Sequence, residues 1–333
     1  MAKEGYTVIE QIGAGMNSNL VFLAQCSNGE KVAIKQIDLN QLNNNLEKET
    51  EGQIAQRNDK IDKEVMALKR VTTSEYVVPF YCSFIHLKTL WVIMELQEGS
   101  LRDVLKWKYP TGLEEEPVIA HICHRVVEGL SFLHDQKMIH RDIKTGNILF
   151  NKDGVIKLAD FGVSAIMADK DEKKTTMVGT WQWMAPEVID PGTFGGYDFK
   201  ADIWSLGITC IELAFGAPPY SSLTPNHVMM NILSKEPPSI KQLASPSKQI
   251  SNFFSDFVSL CTRKNPVSRP TAQMLSGHKF FRDMCSPEDM KKVLLEGLPS
   301  LGERFNLSTQ QQKKQAQLKL GGLMISKNVA PGN

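Results

Sequence analysis

Short runs of apolar and β-prone residues open the chain: Tyr6–Glu10, Leu20–Ala24 and Lys31–Ile37, separated by Gly13-Ala14-Gly15 and by a turn at Asn28-Gly29. This pattern predicts a β-rich start. A polar, Asn- and Glu-rich stretch over 40–58 follows, then helical spacing in Ile61, Val65 and Leu68. Two more strand-like runs, Val77–Ile85 and Leu90–Leu96, lead into Gln97-Glu98-Gly99-Ser100, which reads as a hinge. Helical patterns dominate beyond it, over Val118–His134, Ala201–Phe215 and Ile250–Cys261, with Pro237-Pro238, Pro266 and Pro270 marking helix boundaries. The expected organisation is α+β: a small β-rich lobe with one key helix, hinged to a larger, mainly helical lobe. After Phe281 the spacing predicts a terminal helix over Glu288–Leu298, and Gln310–Leu320 has little to bury. Roughly the last twenty residues are therefore expected to be mobile.

Composition narrows the function. The 333 residues are 42% hydrophobic and 23% charged, and 38 basic side chains against 37 acidic ones leave a net charge of +1. That balance argues against binding driven by phosphate neutralisation on nucleic acid or anionic membrane. The opening Met1-Ala2-Lys3-Glu4-Gly5 has no apolar signal core, and no apolar run approaches the roughly 18 residues of a membrane span, so a cytoplasmic protein is expected. Cys26, Cys82, Cys123, Cys210, Cys261 and Cys285 form no CxxC pair, which fits reduced, mostly buried thiols. His121 and His124 share a helical stretch, but no thiol or HExxH pattern supports a metal there.

The candidate chemistry lies in His140-Arg141-Asp142-Ile143-Lys144-Thr145-Gly146-Asn147, followed eighteen residues after Asp142 by Asp160-Phe161-Gly162. A hydroxyl attacking a terminal phosphate needs a carboxylate to orient it and take its proton, and divalent metal to neutralise the phosphates. Asp142 suits the first task, Asn147 and Asp160 the second. In Gly13-Ala14-Gly15-Met16-Asn17-Ser18 the glycines let backbone approach phosphate oxygens. Strands flank this loop on both sides, unlike a dinucleotide fingerprint, and it lacks the GK[ST] of a Walker loop. Lys35 ends Val32-Ala33-Ile34-Lys35 a short strand later, in position to reach a phosphate. Glu64 begins an apolar periodic run and is the best carboxylate to hold it; Glu47, Glu49 and Glu51 compete from a segment with no apolar face.

These motifs occur in the order found in eukaryotic protein kinases, which the chain resembles from Tyr6 to Phe281. Val178-Gly179-Thr180, Trp183-Met184-Ala185-Pro186-Glu187 and Gly196-Tyr197-Asp198-Phe199-Lys200-Ala201-Asp202-Ile203-Trp204-Ser205 resemble the sterile-20 group. Gly297-Leu298-Pro299-Ser300-Leu301-Gly302-Glu303-Arg304-Phe305 is similar to the post-kinase segment of its Fray and oxidative-stress-responsive branch. The resemblance implies an N-terminal extension over 1–5 and a kinase domain over 6–281, with N-lobe 6–93, hinge 94–99 and C-lobe 100–281. Residues 282–333 would form a C-terminal extension. It implies ATP and Mg²⁺ as cofactors, protein substrates with serine or threonine acceptors, and an upstream kinase or scaffold as partner.

Site roles follow from the same resemblance. Asp142 is the expected base, Lys144 the charge beside the transferring group, Lys35 and Glu64 the pair aligning the phosphates, and Asn147 and Asp160 the metal ligands. Ile12, Gly13, Ala14, Gly15, Ser18, Leu20 and Ala33 would roof the nucleotide, with Leu149 below, Met94 behind, and backbone of Glu95 and Gln97 at the adenine edge. Thr175 or Thr176 would take an activating phosphate that pairs with Arg141, a charge expected to await a partner. Thr180 would bridge Asp142 and Lys144, Glu187 would pair with Arg269, and Asp202 would tie down the catalytic-loop backbone. Three departures stand out: Ser18 replaces a usual third glycine, Trp181 replaces the group's usual proline, and the 40–58 insertion is long. Two other readings fit parts of the chain. A dual-specificity MAP-kinase kinase would phosphorylate threonine and tyrosine of a MAP-kinase activation loop, and a pseudokinase scaffold would bind ATP without transferring phosphate.

Overall fold

The structure is a computed structural model in which residues 5–14, 19–38, 65–66, 68–87, 89–161, 164–167, 172–245 and 248–313 are described. Strands β1 (Tyr6–Ala14), β2 (Leu20–Cys26), β3 (Lys31–Asp38), β4 (Phe80–His86) and β5 (Thr89–Glu95) form a sheet in the order β1-β2-β3-β5-β4. All its pairings are antiparallel. Alternation along β3 divides its residues between two apolar clusters. Val32 and Ile34 join Ala24 and Ile93 in one. Ile37 joins Phe80, Leu90 and Val92 in the other, against which Val65 and Leu68 pack from helical residues. Lys35 shares the β3 face of Ile37, two positions away, so the register carries its side chain toward that helix.

The larger lobe is helical. Helix α1 (Leu101–Trp107) starts at a capping box in which Ser100 and Asp103 satisfy each other's backbone amides. Helix α2 (Glu116–Asp135) presents an apolar face to α3 (Lys200–Phe215), which is buried along nearly its whole length and packs on α4 (Asn252–Cys261). Burial on all sides explains the near-continuous apolar run Ile203-Trp204-Ser205-Leu206-Gly207-Ile208. Between α2 and α3 lie β7 (Met138–Ile139), β8 (Ile148–Phe150) and β9 (Ile156–Leu158), the last two a hairpin whose β8 also pairs with β6 (Gly99–Ser100). The catalytic-loop sequence therefore runs between two short strands fixed to the top of the helical lobe.

Several boundaries differ from the sequence reading. Residues Val77–Pro79 do not belong to β4; Val77 forms an isolated bridge with Leu158, which ties the segment to the other lobe. Strand β5 runs through Met94 and Glu95, so the hinge proper starts at Leu96. Helix α4 begins at Asn252 because the Ser251 hydroxyl caps the Phe254 amide at 3.0 Å. The terminal helix α5 (Pro287–Leu295) stops short of Leu298, and Gly297 turns with φ 71°. Residues 301–313 are helical, including 310–313 where little order is expected from composition. Their anchor is Arg304, 4% exposed, which donates to the hinge carbonyl of Glu98 and lies 3.5 Å from Asp103. Gly302 packs against β1: a Cβ there would sit 2.0 Å from Oε2 of Glu10. The expected insertion over 40–58 and the final residues beyond 313 lie outside the described residues.

Candidate active site

The site is assembled from the buried helix upward. Asp202, in the first turn of α3, accepts from the backbone amides of His140 (2.9 Å) and Arg141 (2.8 Å) and from the His134 ring (2.9 Å). Burial pushes this carboxyl up, but the His134 hydrogen bond and the charges of His134 and His140, with the Arg141 amide, outweigh it and hold the group low. The anchored backbone bends sharply: Arg141 adopts φ 69°, a left-handed conformation costing about 1 kcal/mol or more in a side-chain-bearing residue. The fully buried His140 ring contacts the Ala159 carbonyl at 3.0 Å and packs 5.1 Å from the Phe161 ring. One segment is thereby locked to the other.

Asp142 stands at the centre. Its Oδ2 accepts from Lys144 Nζ at 2.6 Å and Asn147 Nδ2 at 2.7 Å, and its Oδ1 accepts from the Thr180 hydroxyl at 2.7 Å. Lys144 also donates to Thr180 at 2.6 Å, so Thr180 bridges the two charged groups. Asn147 is joined to the second segment through its carbonyl, which accepts from Ala159 N–H at 2.9 Å. The next residue, Asp160, holds φ 65° and meets Lys35 Nζ at 2.7 Å. Asp142, Asn147, Asp160 and Lys35 are thus brought to one place from a loop, a hairpin and the sheet.

The surrounding positions are distributed as follows. Ile12, Gly13 and Ala14 end β1, where Gly13 and Ala14 pair with Val21 and Leu20 of β2. Ala33 is buried, while Leu20 and Leu149 are half-buried on opposite lobes. Met94 pairs with Ala33 and packs on the cluster of Ile37, Phe80, Leu90 and Val92. Glu95 gives its amide to Pro79 and accepts from Lys157 and from Gln97, each at 2.6 Å. Thr175 and Thr176 are exposed. Glu187 and Arg269 form a buried bidentate pair, with Nη2 to Oε2 at 2.8 Å. The Arg141 guanidinium is not waiting for a partner: it donates to the Tyr197 hydroxyl at 3.2 Å and the Ser164 carbonyl at 2.9 Å. Gly15, Ser18 and Glu64 lie outside the described residues.

Two members of the site are assigned no role by the motifs. Glu212 accepts from Thr145 Oγ1 at 2.5 Å, Thr145 N–H at 3.1 Å and Trp183 Nε1 at 3.1 Å, joining the catalytic loop to the segment after Thr180. A single acid in the apolar run Ile211-Glu212-Leu213 is the signal that could have found it. Tyr197, buried and bonded to Arg141, carries no such signal.

A carboxylate beside a lysine, two further oxygen-bearing side chains in Asn147 and Asp160, and a second lysine paired with Asp160, in a cleft between a sheet and a helical lobe, suit a phosphotransferase. The chain belongs to the protein kinase family, residues 6–281 matching the family described as Protein kinase domain. Its relatives make it a serine/threonine kinase of the sterile-20 type. It is 41% identical to Serine/threonine-protein kinase ppk11 of Schizosaccharomyces pombe over 88% of this chain and 87% of that one. It is 38% identical to Serine/threonine-protein kinase fray2 of Dictyostelium discoideum, over 91% of this chain but 28% of the relative. It is also 38% identical to Germinal center kinase 3 of Caenorhabditis elegans, over 89% of this chain and 50% of the relative. No described helix is long and apolar enough to cross a membrane.

Proposed function

We propose that the chain transfers the γ-phosphoryl group of ATP to serine and threonine hydroxyls of proteins, with Asp142 as the base. The observation that carries the reading is the convergence of Lys144, Asn147 and Thr180 on the Asp142 carboxylate. Asp142 would orient the acceptor hydroxyl and take its proton, while Lys144 supplies positive charge beside the moving group. Lys35, held by Glu64, would align the phosphates. Ile12, Gly13, Ala14, Gly15, Ser18, Leu20 and Ala33 would cover the nucleotide, with Leu149 beneath it, Met94 behind, and Glu95 and Gln97 at its edge.

The donors fit a hard divalent cation. Asn147 spends its Nδ2 on Asp142, which leaves Oδ1 as its ligand atom, and the Asp160 carboxylate is 46% exposed. That suits Mg²⁺, which binds through one or two protein oxygens and completes its shell with phosphate and water. Held by Asn147 and Asp160, Mg²⁺ would neutralise charge on the phosphates.

Regulation fits the same frame. Thr175 and Thr176 stand exposed on the segment before Thr180, where an upstream kinase in a sterile-20-type signalling or stress cascade could reach them. The cytoplasm is the compartment this reading favours. Asp142→Asn tests the assignment. Labelling of a generic basic protein from ATP should fall about 10²- to 10⁴-fold, and labelling equal to wild type rejects Asp142 as base.

A further inference from the structure

Among the partners of Arg141 is a buried phenol. Arg141 Nη1 donates to the Tyr197 hydroxyl at 3.2 Å, and that hydroxyl donates in turn to the Thr176 carbonyl at 2.7 Å. A guanidinium has no acceptor and a carbonyl has no proton, so the phenol, with one of each, must pass the bond in a single direction. Tyr197 is 1% exposed, which removes water as a competitor and strengthens both bonds.

The backbone repeats the connection. Lys174 and Tyr197 exchange both main-chain hydrogen bonds, each 2.8 Å. Gly196 makes the approach possible: it holds φ 90°, and a Cβ there would lie 2.8 Å from Lys173 Cβ and 2.9 Å from the Lys174 carbonyl oxygen. Lys173 pairs with Asp198 on the far side of the seam. Residues Lys173–Thr176 are thus stitched to Gly196–Asp198 while the Thr176 side chain faces solvent.

We propose that Tyr197 is a positioning residue for phosphoryl transfer. Its hydroxyl joins the Thr176 backbone to Arg141, neighbour of Asp142, and so holds the segment ending at Thr180 in place while Thr176 carries no phosphate. The inference rests on the reading of Asp142 as base. A phosphate on Thr176 would offer Arg141 a doubly charged acceptor, which outbids a neutral phenol. The unmodified enzyme depends on Tyr197, and the phosphorylated one does not.

Tyr197→Phe keeps the buried ring and deletes the hydroxyl. In phosphatase-treated protein it should lower kcat roughly fivefold to tenfold, as expected for lost net hydrogen bonds, with the ATP KM unchanged. With phosphothreonine at position 176 the loss should shrink below about twofold, as a charge-assisted pair supplants the phenol. Combined with Arg141→Gln in unmodified protein, the two losses should be strongly non-additive. Wild-type kcat in dephosphorylated Tyr197→Phe overturns the proposal. So does an equal loss with and without the phosphate, or additive losses, because either marks mere structural support. Asp142→Asn run alongside separates the premises: if it stays active, the base assignment fails whatever Tyr197 does. Should Tyr197→Phe not fold, hydrogen exchange of dephosphorylated wild type decides. Protected amides at Lys174 and Tyr197 support the seam, and exchange at the solvent rate overturns it.

Discussion

Beneath the cleft, Asp202 and Glu187 are 0% exposed, Arg269 1% and Glu212 5%, whereas above it Val8 and Ile9 of β1 are 40% and 49% exposed. The lower lobe buries these four charges and hydrogen-bonds all of them: Asp202, Glu212 and Arg269 to several groups each, and Glu187 through both its oxygens to Arg269. The upper lobe lays an open sheet over the cleft, with β1 met by Gly302 of the helical segment that Arg304 ties to the hinge. Charges that only hold the site in shape sit in the buried floor, and those positioned to meet reactants are reachable, as with the 46% exposed Asp160. Damage to the floor should therefore be read as lost stability, and damage to the roof as weaker nucleotide binding.

Arg269→Ala is the most severe test of that division. It strands Glu187 without the bidentate partner and also removes donors to the carbonyls of Arg263, Lys200 and Lys264. Urea unfolding should lose about 3–5 kcal/mol, the usual result of breaking a buried pair by deleting one member. A loss below 1 kcal/mol would show that the floor is not rigid in the way its burial implies. Leu20→Ala is the counterpart in the roof. Being half-buried at the end of a strand, it should cost about 1 kcal/mol of stability and raise the ATP KM several-fold with little change in kcat.

Arg304→Ala probes the join between the two regions. Burial pulls the Arg304 guanidinium down, and the nearby Asp103 and Glu98 offset this only in part. Removing it frees the hinge carbonyl of Glu98 and unlatches the 301–313 helix. Stability should fall by about 1–3 kcal/mol. The ATP KM should rise through a loosened hinge, about twofold to fivefold, intermediate between the floor and roof variants. Intact KM with lost stability would make the terminal helix part of the floor alone.

The two regions also differ in how far the sequence exposes them. Asp142, Asn147 and Asp160 are legible as a group because short motifs at fixed offsets single them out and the structure brings their segments together, and the strand-hinge-helix order follows from apolar spacing. Local pattern fails where the decisive contact is remote. Nothing near Arg304 says that it reaches Glu98, and the polar composition of Gln310–Lys313 gives no sign of the helix that this anchor holds several residues upstream. Arg141 reads as an unpaired charge because Tyr197 lies 56 positions away. The apolar run Leu90–Leu96 places Met94 and Glu95 in a strand, whereas the hinge bounds 94–99 implied by the resemblance exclude them; ladder pairing with Ala33 and Val32 keeps them in β5. Glu212 could have been suspected, since an acid within an apolar helix must find partners.

Helix α3 carries two buried carboxylates whose acidities are shifted in opposite directions, which gives the finest test of the floor. Asp202 is held low by His134 and the loop amides against its own burial, so its stabilisation is present above the unfolded value near about 3.9 and fades as pH falls through the lower folded value. Glu212 is pushed up by burial, and bonds from Thr145 and Trp183 only partly offset it. Its contribution is complete below about 4.3 and declines as pH rises through the folded value. Glu212→Gln removes that titration while placing an amide NH₂ against the Thr145 and Trp183 donors, which adds a cost independent of pH. The level of stability is therefore uninformative and the slope decides. From pH 4 to pH 7, unfolding free energies of Glu212→Gln should improve relative to wild type, whereas Asp202→Asn should lose ground over the acid side of the same range. Parallel pH profiles for wild type and Glu212→Gln would mean that the carboxylate is as well solvated by its three donors as by water, and that this part of the floor carries no strain.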